Sequence, residues 1–153
     1  MRQIKYIVVH CTATSQSASV ASILNGWKQL GWKNPGYHFL VESNGAHHIL
    51  LPVDKVSNGV KGYNSVSINI AYIGGIDSAG KPLDNITPSQ RWKLQQIIDG
   101  LLVHLPSAKV VGHRDLSHDT NKNGKIDPQE WLKACPCFDV TSKFNIPKQN
   151  RLS

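Results

Sequence analysis

Three residues of metal-binding type stand out: His10 and His113, each at the end of an apolar run, and Cys135 in a C-P-C cluster. Zinc in hydrolytic sites takes three protein ligands and leaves a fourth position for water. Two neutral imidazoles and one thiolate leave such a site with a net charge of about +1. That preserves Lewis acidity and lowers the pKa of a bound water to about 7. Hydrolysis of an amide also needs a charge opposite the developing oxyanion and a proton for the leaving amine. Lys133, two residues before Cys135, and Tyr37, which opens a strand, are the right types for those tasks. Spacing alone leaves the plainer readings open. His10 is also a core histidine capping a strand, and Tyr37 an amphipathic aromatic at a strand end.

A second cation-binding pattern lies between His113 and Cys135. Asp119-Thr-Asn121-Lys-Asn123-Gly124-Lys125-Ile126-Asp127-Pro-Gln-Glu130 fits the twelve-residue EF-hand loop. Asp119, Asn121 and Asn123 take positions 1, 3 and 5, and Lys125 offers its carbonyl at 7. Asp127 stands at 9 and Glu130 is the bidentate ligand at 12. The expectation is a calcium ion (Ca2+) that orders this segment, with a short helix after it over Pro128–Leu132. The alternative is a polar surface loop of Asn/Gly composition.

Composition narrows the function classes. The chain has 153 residues, 40% hydrophobic and 18% charged, which fits one globular domain with a real core. No apolar run approaches the roughly 20 residues that span a bilayer, so no membrane partner is expected. Met1 to His10 is a strand pattern without a signal-peptide core. The chain is therefore expected to be made in the cytoplasm and to reach an outside target by release or delivery. The net charge of +7 points to a polyanionic partner. The basic residues are scattered, however, and no aromatic-basic motif supports specific nucleic-acid binding. Three cysteines make no disulfide framework, and the C-P-C cluster favours metal or thiolate chemistry.

The elements that must position these residues read in order. Ile4–Cys11 is a β-branched strand with apolar residues on both faces, as in a strand covered on both sides. Its C-terminal end, where open α/β sheets place ligands, delivers His10. Ser19–Leu30 is an amphipathic helix with Gly31 as its stop. Tyr37–Glu42 and Ala46–Leu51 form a hairpin around Asn44-Gly45. His38, His47 and His48 in it read as structural or surface residues. A long connection, Pro52–Ser65, leads to the strand Ser67–Ile73. Thr87-Pro88-Ser89-Gln90 is a capping box that starts a helix ending at Pro106. Lys109–Gly112 is a strand delivering His113, and Phe138–Phe144 a short closing helix or turn. The order is β-α-β-β-β-α-β: a single α/β domain over 1–146, with a central mixed β-sheet flanked by α-helices. The calcium loop is an insertion at 119–130, and 147–153 is expected to be a loose tail.

Seven motifs recur in one order: V-H-C-T-A-T at 9–14, G-W-x3-G-Y-H-F at 31–39, K-G-Y-N-S-V-S-I-N-I at 61–70, G-G-I-D at 74–77, T-P-S-Q at 87–90, G-H-R-D at 112–115 and K-A-C-P-C-F-D at 133–139. Together they resemble the zinc-dependent N-acetylmuramoyl-L-alanine amidases, in the bacteriophage T7 lysozyme branch related to peptidoglycan recognition proteins. The resemblance spans nearly the whole chain. It implies zinc (Zn2+) in a surface groove on His10, His113 and Cys135, with Tyr37 and Lys133 as the catalytic pair. It also implies cleavage of the amide between N-acetylmuramic acid and L-alanine in bacterial peptidoglycan, as in an endolysin, by a monomer.

The chain departs from that family pattern in four places. Trp27 stands where relatives often carry a histidine in the first helix, and Gly59 near where many carry another. Ala71 stands where some branches place a catalytic glutamate, and Cys137 where relatives commonly have serine. Two readings compete with the enzyme. One is a non-catalytic peptidoglycan-binding module, against which Cys135 argues. The other is a nucleic-acid binder with a structural zinc on His10, His113, Cys135 and Cys137, against which the proline between the cysteines argues.

Overall fold

The computed structural model describes residues 2–131 and 133–152. Five strands form one sheet: β1 (Tyr6–Cys11), β2 (Phe39–Val41), β3 (His47–Ile49), β4 (Ser67–Tyr72) and β5 (Lys109–Gly112). Their spatial order is β3-β2-β4-β1-β5. β1 pairs in parallel with β4 and β5, β2 pairs in parallel with β4, and β3 returns antiparallel to β2. The sheet is mixed, as the order of elements predicts. Three helices accompany it: α1 (Val20–Gln29), α2 (Pro88–His104) and α3 (Val140–Lys143). None of the described helices is long and apolar enough to cross a membrane.

β1 and β4 are covered on both faces. Ile7, Val9 and Cys11 of β1 join Ile68, Ile70 and Tyr72 of β4 in a core with Leu94 and Ile98 of α2 and Val140 of α3. Val8 points the other way, toward Val60, Val111 and Leu116. Ala71 does the same with Leu40 and Ile23 of α1. The period-2 alternation of a strand puts His10 on this second face. With Val8 opposite Asn69 and His10 opposite Ala71, Asn69 shares that face one pair behind His10.

The helix ends carry the expected chemistry. Thr87 caps α2 with a complete capping box, and Pro88 occupies the first turn. Ser19 caps α1. At its other end Gly31 takes φ +78°, a left-handed value that suits glycine. Gly31 N–H then donates to Lys28 O, and Trp32 N–H to Trp27 O. This Schellman arrangement brings Trp27 and Trp32 together, their rings 6.4 Å apart and nearly parallel. The expected Tyr37–Glu42 strand is shorter, so Tyr37 lies just ahead of β2. The expected helix over Pro128–Leu132 is a 3-10 turn at Pro128–Glu130, and Leu132 lies outside the described residues.

The C-terminal segment corrects one expectation. In place of a loose tail, residues 148–150 form a 3-10 turn, and Asn150 is buried. Its Nδ2 donates to Pro106 O at 2.8 Å and Ala108 O at 2.9 Å, closing the loop between α2 and β5. Composition reads the segment as polar, but one side-chain amide there satisfies two backbone carbonyls. Removing such a partner costs about 1–3 kcal/mol. Asn150→Ala is expected to lower unfolding free energy by that amount in urea denaturation. An unchanged midpoint would show the segment to be dispensable.

Candidate metal centre and catalytic groove

His10 is 1% exposed at the C-terminal end of β1. His113 begins a 3-10 turn directly after β5, the neighbouring parallel strand. Two parallel strands thus release their histidines at the same sheet edge, and the ring centroids stand 4.9 Å apart. Cys135 arrives from the C-terminal side. Arg114 N–H donates to Cys135 O at 2.9 Å, tying the His113 turn to the cysteine segment. Tyr72 OH donates to Pro136 O at 2.7 Å. Gly112 lets Pro136 approach, since a Cβ there would lie 2.8 Å from its Cδ.

The donor atoms converge. One ligand atom from each of His10, His113 and Cys135 lies within 4.8 Å of the others. His10 Nδ1 is 3.7 Å from Cys135 Sγ. Tetrahedral zinc with its usual Zn–N and Zn–S bonds holds N and S about 3.6 Å apart, so the spacing fits. Both imidazoles are neutral and have lone pairs to offer. Burial pushes His10 down to about 4, with Lys133 adding to the fall. Burial, then His10 and Lys133, push His113 down to about 3. The residues therefore fit a borderline cation that prefers N and S donors.

Tyr37 stacks at a tilt on His10, centroids 5.0 Å apart, and receives the edge of Trp27 on its other side at 5.2 Å. Its hydroxyl donates to Cys11 O at 3.1 Å. Burial pushes the phenol well above its usual range, so it remains a proton-bearing donor at neutral pH. Cys11 N–H in turn donates to Cys135 Sγ at 3.1 Å. The backbone of one residue thereby orients both the tyrosine and the sulfur. His10, Tyr37, His113, Lys133 and Cys135 all line one cavity of about 200 Å3, walled by Trp27 and Trp32. Next to it, a groove of about 460 Å3 shares His113 and Lys133 and continues past Tyr63 and Ser117. A larger hollow beside Trp92 shares none of these residues.

Cys137 does not join the metal-binding set. Its Sγ lies 3.4 Å from Gly75 O and 3.9 Å from Cys11 Sγ. Contact with Cys11, then burial, raises the Cys137 thiol. The Cys11 thiol is pushed up to about 12, first by its contact with Cys135. Both sulfurs are protonated packing groups. This removes the basis for a closed Cys2His2 shell.

The Asp119–Glu130 loop takes a compact form. Asp119 accepts from Asn123 and Gly124 N–H, Asn121 from Asn123 N–H, and Asn123 from Lys125 N–H. Gly124 and Lys122 have positive φ, +85° and +59°. Yet Glu130 turns its carboxylate onto the N–H groups of Asn121 and Asp127, and Asp127 accepts from the Asn121 and Asn123 amides. Among the described residues, the set that converges as metal ligands is His10, His113 and Cys135. Calcium at this loop has no support in the geometry.

Sequence reasoning missed Asn69, a polar residue in the middle of a buried strand. Its Oδ1 sits 2.8 Å from His10 Nε2. The signal was visible as the asparagine within S-I-N-I-A-Y-I at 67–73.

Known proteins resemble this chain along most of its length. The sequence profile of the N-acetylmuramoyl-L-alanine amidase family matches residues 1–130. The endolysin of Klebsiella phage KP32 is 35% identical over 136 residues, 88% of this chain and 81% of that protein. The endolysin of Escherichia phage T7 is 34% identical over the same shares. The Ph2119 endolysin, from a Thermus scotoductus bacteriophage, superposes with a TM-score of 0.71 at 24% identity, covering 99% of this chain and 88% of that one. That likeness bears on the fold.

The neutral imidazoles give the metal-free chain a pH signature. Folded, both histidines stay neutral well below 6.5, whereas unfolded they protonate near it. The unfolded state binds more protons, so stability falls as pH drops from about 6.5 toward about 4 and is flat above. Urea midpoints measured in chelator across that range are expected to decline. In a double His10→Ala/His113→Ala variant the decline is expected to be smaller.

Proposed function

We propose that this chain, which belongs to the N-acetylmuramoyl-L-alanine amidase family, works through zinc held by His10, His113 and Cys135, with Tyr37 and Lys133 as its catalytic pair. The chain is an amidase of bacterial cell-wall lysis: it cuts the bond between N-acetylmuramic acid and L-alanine in peptidoglycan. The observation that carries the zinc reading is the convergence of two neutral imidazoles and one sulfur within 4.8 Å, with His10 Nδ1 and Cys135 Sγ 3.7 Å apart. When bound, zinc supplies Lewis acidity and an activated water at neutral pH.

The chain's own residues supply the rest. Lys133 is an exposed ammonium on the rim of the cavity that holds the ligands, free to stand beside an oxyanion as the scissile carbonyl becomes tetrahedral. Tyr37 keeps its proton, so its part is to donate and orient a hydrogen bond rather than to act as a phenolate base. Trp27 packs its edge on Tyr37 and limits the ring's freedom. The groove past Tyr63 and Ser117 provides length for the extended stem peptide. The +7 charge favours encounter with an anionic wall.

Digestion of peptidoglycan is expected to release stem peptides with a free L-alanine amine, read by mass spectrometry, and to stop when zinc is chelated. Elemental analysis is expected to find one zinc per chain and to lose it in His113→Ala; full, tightly held zinc in that variant would remove the ligand set. Lys133→Ala is expected to keep zinc while kcat falls on the order of a hundredfold. Lys133→Arg is expected to restore little, because a planar guanidinium does not replace a compact ammonium. Near-normal turnover by zinc-loaded Lys133→Ala would defeat its role.

A further inference from the structure

His10 can serve a metal through Nδ1 only if its proton sits on Nε2. A neutral imidazole carries one proton, and the partner of the other nitrogen decides where. Here that partner is Asn69, 2.8 Å from Nε2. An asparagine presents either a carbonyl, which requires a donor, or an amide, which requires an acceptor. The atom that Asn69 turns toward His10 therefore decides whether Nδ1 is a bare lone pair or an N–H.

The surroundings of Asn69 leave one answer. Its backbone N–H donates to His38 Nδ1 at 3.0 Å, which makes that nitrogen an acceptor. The His38 proton then lies on Nε2, where Lys55 O at 2.8 Å is nearer than the donor-only Arg2 guanidinium at 3.2 Å. Ser57 Oγ is 3.3 Å from the same Nδ1, which has no proton to give, so the hydroxyl shares that one lone pair as a weaker second donor beside the Asn69 N–H. Ser57 is left with lone pairs for Asn69, so Asn69 Nδ2 donates to Ser57 Oγ at 2.7 Å. Oδ1 remains for His10. His38, Ser57 and Asn69 are each 0% exposed, so water does not compete for these groups.

We infer that His38, Ser57 and Asn69 form a positioning relay that holds His10 in its Nε2–H tautomer and presents Nδ1 to the metal. The inference deepens the zinc reading above and rests on it. Gly59 belongs to the same unit. A Cβ at 59 would lie 2.3 Å from Asn69 Cγ and 2.4 and 2.5 Å from its Oδ1 and Nδ2. The Asn69 side chain fills the space that any larger residue at 59 would take. The loop that lines the metal cavity at Asn58 and Gly59 is thereby coupled to the tautomer of a ligand.

Long-range 1H–15N NMR of the metal-free protein at neutral pH reads the tautomer directly. The expected result is a His10 proton on Nε2. Ser57→Ala removes the group that fixes the amide, and Gly59→Ala displaces the amide. Each is expected to mix the tautomers and to weaken zinc about 10- to 100-fold in chelator competition. Asn69→Asp keeps an acceptor for His10 and is expected to retain both tautomer and affinity, whereas Asn69→Leu loses both. Should Asn69→Leu fail to fold, Ser57→Ala and Gly59→Ala carry the test. An Nδ1–H tautomer in the wild type, or an unchanged tautomer in both of those variants whatever their zinc affinity, overturns the relay. Because the tautomer is read without metal, a wild type that binds no zinc sinks the zinc reading alone.

Discussion

The structure depends on a constraint at its centre: β1 lies between two parallel partners and is buried on both faces. Such a strand must be apolar almost throughout, and any polar group in it must find a protein partner. His10 is the polar side chain of β1, and it is nearly fully buried. Burial keeps the ring neutral. A neutral ring with one nitrogen engaged by Asn69 has the other available as a ligand. The same burial that stabilises the sheet thus prepares the site. Parallel pairing does the rest, because β1 and β5 end on the same side and deliver His10 and His113 together.

The third residue of the proposed ligand set is held differently. Cys135 is on no regular element, so its position comes from separate contacts: Arg114 N–H to its carbonyl, Cys11 N–H to its sulfur, and Tyr72 OH to Pro136 O. These join it to β1, to β4 and to the turn after β5. The neighbouring sulfurs of Cys11 and Cys137 lie 3.9 Å apart, their thiols are raised, and they pack as small apolar groups. Three cysteines close in space turn differently: the Cys135 sulfur faces His10 Nδ1, while those of Cys11 and Cys137 face each other.

Around this centre the aromatic contacts form a continuous wall. Trp32 lies on Trp27 through the Schellman turn, Trp27 meets Tyr37 edge-on, and Tyr37 leans on His10. The helix stop at Gly31 therefore reaches the candidate metal centre through four rings. The loop at 119–130 shows the opposite behaviour. Its hydrogen bonds are nearly all internal, and one outward contact of the following segment is Arg114 over the Trp131 ring at 4.0 Å.

The sequence by itself determined the order of elements, the capped helices, the two-sided burial of β1 and, through the motifs, the five residues of the proposed site. These are local or periodic properties: a capping box needs four consecutive residues, and a buried strand shows as an apolar run. It also led to a loose tail, because composition registers polarity but not that the Asn150 amide meets two carbonyls of another loop. It suggested calcium, because ligand types were present at EF-hand spacing. Spacing does not say whether carboxylates face a common point or their own backbone, and Glu130 faces the backbone. Only the tertiary structure separated Cys137 from Cys135, since two residues of chain say nothing of which way each sulfur turns. Only it made Asn69 legible, because the meaning of a buried amide lies in partners 12, 31 and 59 residues away. Hydrogen bonds of that kind are directional and short, so they exist once the chain is folded and leave no periodicity to read beforehand.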